Sequence, residues 1–227
     1  MFKYRFFQVI LAIAVVMLIV SSAVFISFQG VNISEAEYTS EMTGRTFETD
    51  GADGSETALT EFEAWLEYSI IADGLKEAGN NVDFDKGSVK LCDYNLTQLR
   101  QLKKVKDEAK RMMFLSVILL IIGFLAVKKR RMYECVVWGG VAASVIGMVS
   151  LILLAISGSG IFYGVREMVF KGRYDVFFSG DDRLISLIPD NLGLRMFLIY
   201  TGVILAGLVI TIIVRLISWR KTQPHKF

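Results

Sequence analysis

The chain has 227 residues, of which 53% are apolar before its 19 glycines are counted, and its formal net charge is +2. A soluble domain reaches about 45–50% apolar with glycine included, so an ordinary soluble domain and a disordered chain are both excluded. The near-neutral charge gives no reason to expect a nucleic-acid partner.

The apolar residues fall in four blocks, and about 20 residues are needed to cross a hydrocarbon core. The pattern predicts an all-α membrane protein. Four transmembrane helices carry a mostly helical extracytoplasmic cap built from two outer segments. The expected division is 6–28 for the first span, 29–110 for the first outer segment and 111–127 for the second span. A loop follows at 128–134, then the third span at 135–156, the second outer segment at 157–195, the fourth span at 196–214 and a tail at 215–227. The first span reads as an uncleaved signal anchor. Ser21-Ser22-Ala23 would also suit signal-peptide cleavage, although the apolar stretch is long for that.

Basic residues near spans mark the cytoplasmic side. The N-terminus, the 128–134 loop and the tail together carry ten basic residues and one acid, whereas 29–110 carries seventeen acids and nine bases. The expected topology is multi-pass in a cell membrane, with both termini cytoplasmic and both outer segments outside.

Segment 29–55 is polar and reads as a loop. A helix is expected from about Ser55 to Gly79, with Leu59, Phe62, Leu66, Ile70 and Leu75 at helical spacing and Trp65 near that seam. No breaker separates the helical pattern from Asn95 to Ala109 from the second apolar block, so one helix is expected over about 96–127. Its apolar face would be Leu99, Leu102, Val105 and Ala109. At about 1.5 Å per residue, Gln101 would stand roughly 15 Å above Met112. Lys103, Lys104, Lys106, Lys110 and Arg111 form a basic stripe that either meets lipid phosphates or is a solvated face that snorkels. In the third span, Gly139, Ala143 and Gly147 recur every four residues. Such a seam lets helix backbones approach, either within the chain, which is the simpler reading, or in self-association. The second outer segment shows a turn at 157–160, an amphipathic run at 161–170 and a short apolar helix before Pro189.

No metal spacing, phosphate loop or disulfide framework is present, so no cofactor is expected. Cys92 and Cys135 lie in segments of different polarity. The only histidine is His225, in the tail, so a Ser–His or Cys–His pair outside is not available.

Two stretches carry a family resemblance. Phe177-Phe178-Ser179-Gly180-Asp181, followed by Leu184-Ile185-Ser186-Leu187-Ile188-Pro189-Asp190, resembles a pattern of the bacterial lipoprotein intramolecular transacylase (Lit) family. That pattern is a Phe pair, a polar turn, Leu-Ile and a Pro-acid before the last span. Gln98-Leu99-Arg100-Gln101-Leu102-Lys103-Lys104-Val105-Lys106 is similar to the family's Glu-Leu/Ile-x-His-Leu/Met-x-Asp-Val-Lys before its second span. The order of parts matches along the whole chain, and these motifs cover about twenty residues. The resemblance implies a bacterial protein of the four-span fold, with membrane lipid and lipoprotein as partners. The reaction it implies moves an acyl chain from the glycerol of a lipid-modified cysteine onto that cysteine's amine. It also implies that the two family histidines fall at Gln101 and Tyr174. The acid after the first histidine becomes Lys104, and Arg183 stands near the place of the family's tryptophan.

An amine attacking an ester needs a base. Glutamine is not one, and tyrosine, with a pKa near 10, is a poor one. The leading expectation is therefore a divergent member that binds lipid or lipoprotein without histidine-dependent transfer. One alternative is an acyltransferase using substitute groups such as Tyr174 with Asp175. The other is an accessory or scaffold subunit of a membrane complex.

Overall fold

The computed structural model describes residues 2–44, 47–50, 56–77, 82–84, 86–89, 91, 93–126, 129–155, 187–189 and 191–222. Helix α1 spans Phe2–Ser27 and ends in a 3-10 turn, Phe28–Val31. Next come α2, Glu35–Met42, the strands β1, Phe47–Asp50, and β2, Glu56–Leu59, and α3, Glu61–Lys76. Three long helices follow: α4, Asp93–Ala126, α5, Lys129–Ala155, and α6, Leu192–Thr222. The fold is that of a helical membrane protein, and four of its helices are long and apolar enough to cross a bilayer.

Contacts divide the chain into two compact units. One holds residues 1–26, 107–158 and 198–227, and the other holds 27–106 and 159–197. The first is the bundle of apolar helices. Its outward side chains include Ile118, Ile121, Leu125, Trp138 and Ile152, all exposed, as lipid contact requires. Its interior is built on small residues. A Cβ on Gly139 would stand 2.6 Å from the Ala12 carbonyl oxygen, and one on Gly147 would stand 2.5 Å from Ile204 Cγ2. Ala143 between them is fully buried. Gly140 abuts Thr211, and Gly123 abuts Leu11. The Gly139–Ala143–Gly147 seam is thus filled by α1 and α6 of the same chain. That is the within-chain reading of the seam. Hydroxyls in the bundle return to their own helices. Ser116 donates to the Met112 carbonyl (2.6 Å), Ser144 to Gly140 (2.8 Å) and Thr211 to Gly207 (2.8 Å). This i−4 pattern satisfies a polar group where lipid supplies no partner.

The second unit departs from the expected loop over 29–55. Ser34 caps α2 by accepting from the Glu37 N–H, and the buried Tyr38 and Met42 one turn apart give α2 its inner face. Gly44 takes φ +83, which a residue without a Cβ adopts at little cost. The chain then turns into a two-stranded antiparallel ribbon that pairs Phe47 with Leu59 and Asp50 with Glu56. Phe47, 2% exposed, ties the ribbon into the unit. Helix α3 starts at Glu61 and not near Ser55, which lies outside the described residues. The reason is a reciprocal capping box in which Thr60 accepts from the Glu63 N–H and the Glu63 carboxylate accepts from the Thr60 N–H. That arrangement satisfies two of the donors left over at a helix start.

The buried faces of α3 and α4 are also rotated from expectation. Helix α3 buries Ala64, Glu67, Tyr68, Ile71, Ala72 and Leu75, and leaves Phe62 and Leu66 exposed. Glu67 can be buried because its carboxylate accepts from both the N–H and the hydroxyl of Ser88, each at 2.6 Å. Helix α4 runs unbroken from Asp93 to Ala126. In its first half it buries Asn95, Leu99, Lys103, Lys106 and Ala109, while Leu102 and Val105 face out.

Candidate functional site

The helix that carries Gln101 places it on the exposed side of α4, beside exposed Arg100, Leu102 and Lys104. Tyr174, Asp175, Arg183 and the Phe177–Asp181 motif lie outside the described residues, as do Cys92 and His225.

The basic stripe divides in two. Lys104 is exposed, but Lys103 and Lys106 are 4% and 5% exposed. Lys106 Nζ donates to the carbonyls of Leu75 (2.6 Å) and Lys76 (2.7 Å), and Lys103 Nζ donates to the Glu77 carbonyl. These carbonyls end α3, where the last turn has no intrahelical donors and carries the negative end of the helix dipole. The two ammonium groups therefore close a helix end. They do not face lipid phosphate, which corrects the expectation for Lys103 and Lys106 and leaves it open for the exposed Lys104, Lys110 and Arg111.

The concentration of ionisable and polar chemistry lies elsewhere in the same unit, on α2, α3 and the start of α6. Glu37 and Glu41 are one turn apart on α2, with Tyr38 between them. Arg195, in the first turn of α6, forms an ion pair with Glu37. The side chains of Arg195 and Glu37 are 35% and 43% exposed, so this edge of the cluster meets solvent. Tyr38 and Tyr68 stand 5.2 Å apart, ring centre to ring centre, and both are buried. Each hydroxyl is spent on a backbone carbonyl: Tyr38 donates to Leu187 (2.9 Å) and Tyr68 to Val31 (2.6 Å). Burial pushes the Tyr68 hydroxyl above its ordinary value of 10. Arg195 draws it back, and Tyr38, Glu41 and Glu37 raise it further. All four groups thus act electrostatically on one phenol.

Glu41 differs from the rest. Its Oε2 is wholly shielded and accepts no hydrogen bond among the described residues. The cluster combines a cation, two carboxylates and an aromatic pair, a set suited to holding a polar headgroup. Among the described residues, no group of three or more His, Cys, Asp or Glu is placed to hold a metal ion. Sequence reasoning missed this cluster because Arg195 and Glu37 are 158 positions apart. One local signal was present: Ser34-x-x-Glu37 followed by Tyr38 and Met42 is a capped amphipathic helix start.

No protein-family model and no curated protein matches the sequence. Solved structures do match in fold. The membrane integral lipoprotein intramolecular transacylase Lit from Bacillus cereus, determined in meso, superposes with a TM-score of 0.70 at 12% identity, over 97% of each chain. A variant of that protein with a histidine replaced by arginine gives 0.69 at 12% identity, covering 97% of this chain and 93% of that one. A second, with the histidine replaced by alanine, gives 0.68 at 13%, covering 97% and 96%. At such identity the likeness is one of fold, and it extends over nearly the whole chain.

Proposed function

We propose that this chain binds membrane lipid or lipoprotein at the outer face of a bacterial cell membrane, on a Lit-like frame that no longer performs histidine-dependent acyl transfer. The observation that carries the reading is the pairing of that frame, end to end, with a sequence whose one histidine is His225. In a reaction that joins an amine to an ester carbon, a base must take the amine's proton. Gln101, at the position of one family histidine, has no basic lone pair at neutral pH. Tyr174, at the other, would have to lose a proton that phenols hold to about pH 10.

The distribution of basic residues supports the orientation, with both termini cytoplasmic and the two outer segments outside. In that orientation Gln101, Tyr174 and Asp175 belong to the outer part, and Lys104 is free to meet headgroup phosphate. Binding without transfer needs only shape, apolar surface and paired polar groups, and the α2–α3–α6 cluster supplies the last of these.

The test is retention of a diacylglyceryl lipopeptide by the purified protein in nanodiscs, with mass spectrometry of the recovered lipopeptide. Saturable retention with the acyl chains still on glycerol is the expected result. No retention above an empty-nanodisc control refutes the reading. Recovery of a lipopeptide acylated on its cysteine amine also refutes it, in favour of transfer by substitute groups, with Tyr174 and Asp175 the first to be replaced.

A further inference from the structure

We propose that the α5–α6 seam, where it opens at Ser150 and Tyr200, holds a bilayer glycerophospholipid by an acyl ester carbonyl that accepts a hydrogen bond from the Tyr200 hydroxyl. The proposal rests on the lipid-binding reading above and names the part of the lipid that is recognised.

The seam is built rung by rung. Gly140 abuts Thr211 and Gly147 abuts Ile204, and a Cβ would fit at neither glycine. The next rung toward the end of α5 pairs Ser150 with Tyr200, and both side chains are half-buried. Beside this rung Met148, Val149, Ile152 and Leu198 are exposed, and the outer surface of a membrane bundle is covered by lipid. Ser150 and Tyr200 thus stand where helix packing gives way to the lipid-facing surface.

Their hydrogen bonding is uneven. Ser150 donates to the Ile146 carbonyl at 2.9 Å, so toward Tyr200 it only accepts. Tyr200 donates to Ser150 Oγ at 3.4 Å, whereas hydroxyl donors prefer about 2.7–2.8 Å. Other hydroxyls of the bundle do better: Ser116 donates at 2.6 Å, and Ser144 and Thr211 at 2.8 Å. A phenol in contact with hydrocarbon has no water to complete its bonding. The long bond therefore marks a donor that gains by turning to a stronger acceptor.

Depth selects the acceptor. Tyr200 is about 6 Å along the axis from Met196, where the apolar run of α6 begins, and Ser150 is about 9 Å from Ile156, where that of α5 ends. Helical side chains lean toward the helix N-terminus, which carries the Tyr200 hydroxyl back toward the edge of the apolar layer. Tyrosine is enriched at that edge because its ring is apolar and its tip polar. Just inside the interfacial zone the polar atoms of a phospholipid are its acyl ester carbonyls, since phosphate lies farther out and the chains below carry none. Neither Ser150 nor Tyr200 is charged, so headgroup charge is not what this rung reads.

The test compares two phosphatidylcholines that differ only in linkage, one diester and one diether, the diether having no carbonyl. The delipidated full chain in detergent is offered both at equal concentration, and native mass spectrometry counts the first lipid retained. A neutral hydrogen bond corresponds to about twofold to tenfold in affinity. A diester preference of that size in the wild type, reduced to near unity in Tyr200→Phe with total lipid retained, supports the proposal. Ser150→Ala removes the competing acceptor and should keep or raise the preference. A wild type that takes the two lipids equally overturns the proposal and leaves lipid binding standing, whereas retention of neither lipid overturns both. A bond that serves only to join the helices gives a different pattern, which also overturns the proposal: Tyr200→Phe and Ser150→Ala lower the unfolding midpoint alike and leave the diester-to-diether ratio unmoved.

Discussion

Replacing Lys106 by methionine tests whether this lysine holds the protein together or holds lipid. Its Nζ makes two hydrogen bonds, at 2.6 and 2.7 Å, to the Leu75 and Lys76 carbonyls. Bonds of this kind, with a charged donor, contribute about 1.5–3 kcal/mol each, so about 3–6 kcal/mol is lost with the ammonium. Methionine keeps the apolar stem and relieves the cost of burying a charge, which is itself several kcal/mol. If half is recovered, the net loss is about 1.5–3 kcal/mol. For a chain of this length 1 kcal/mol corresponds to about 2–4 °C in Tm, giving a fall of roughly 3–12 °C. The assay is thermal unfolding in detergent followed by tryptophan fluorescence, with hydrogen exchange of the α3 amides as the local readout. The α3 C-terminus should exchange faster while the α5 amides do not. Lys104→Met is the control, since Lys104 is exposed and surface substitutions usually stay within about 0.5 kcal/mol. A midpoint for Lys106→Met equal to that of Lys104→Met, together with weaker binding to anionic vesicles, refutes the reasoning and returns Lys106 to the membrane surface.

Other predictions follow the same geometry. In the bundle, Gly139→Ala puts a methyl 2.6 Å from the Ala12 carbonyl oxygen, and backbone cannot move aside cheaply. A loss of about 1–3 kcal/mol is expected, seen as a lower midpoint with an unchanged oligomeric state by light scattering. Gly202→Ala, with nothing within 4 Å, should not destabilise. Thr60→Ala removes the N-cap of α3 and should cost about 1 kcal/mol. Glu63 is held below its ordinary carboxyl range by the Thr60 N–H and hydroxyl it accepts. Its contribution is therefore present above the unfolded pKa and lost as pH falls through the folded one. An acid titration followed by circular dichroism should show that step weakened in Thr60→Ala. Burial raises the Tyr68 hydroxyl, so its contribution is complete below pH 10 and is lost as pH rises through the folded value. Tyr68→Phe should cost about 1 kcal/mol at neutral pH and flatten the alkaline decline in stability. An unchanged alkaline profile would count against a buried phenol at that position.

Hydropathy made the membrane helices readable, because a bilayer demands a long apolar run whatever packs beside it. The continuity of α4 was readable for a related reason: nothing between Asn95 and Met112 can stop a helix. The inner faces of the cap were not readable from polarity alone. Leu102 and Val105 look like core and are exposed, whereas Lys103 and Lys106 look like surface and are buried. The deciding fact is that α3 ends nearby with carbonyls that need donors, and that requirement lies some thirty residues away in the chain. Glu67 is the same case with signs reversed, an acid made burialworthy by Ser88. The described part of segment 29–55 reads as loop from polarity for a different reason. Its apolar content is sparse, but Tyr38, Met42 and Phe47 at the right places are enough when Ser34 caps the helix and Gly44 permits the turn.

Buried charge of this kind says something about what the cap is built to do. Replacing a buried ionic contact by well-packed apolar side chains is often neutral or stabilising, so Lys103, Lys106 and Glu67 are not an efficient route to stability alone. Each joins a helix to backbone at one register only: the lysines fix α4 against the end of α3, and Glu67 fixes α3 against the segment at Ser88. A helix that slipped by one residue would strand a charge. The outcome is a cap whose helices have one mutual arrangement, with α2 and α3 presenting Glu41, Tyr38 and Tyr68 in fixed geometry. A surface that holds lipid or lipopeptide gains from such preorganisation, because side chains already ordered lose little entropy on binding. Loosening this scaffold, as Lys106→Met does, should therefore weaken retention of a diacylglyceryl lipopeptide at temperatures well below unfolding. Unchanged lipopeptide retention by that variant would show that these ionic contacts serve stability and not recognition.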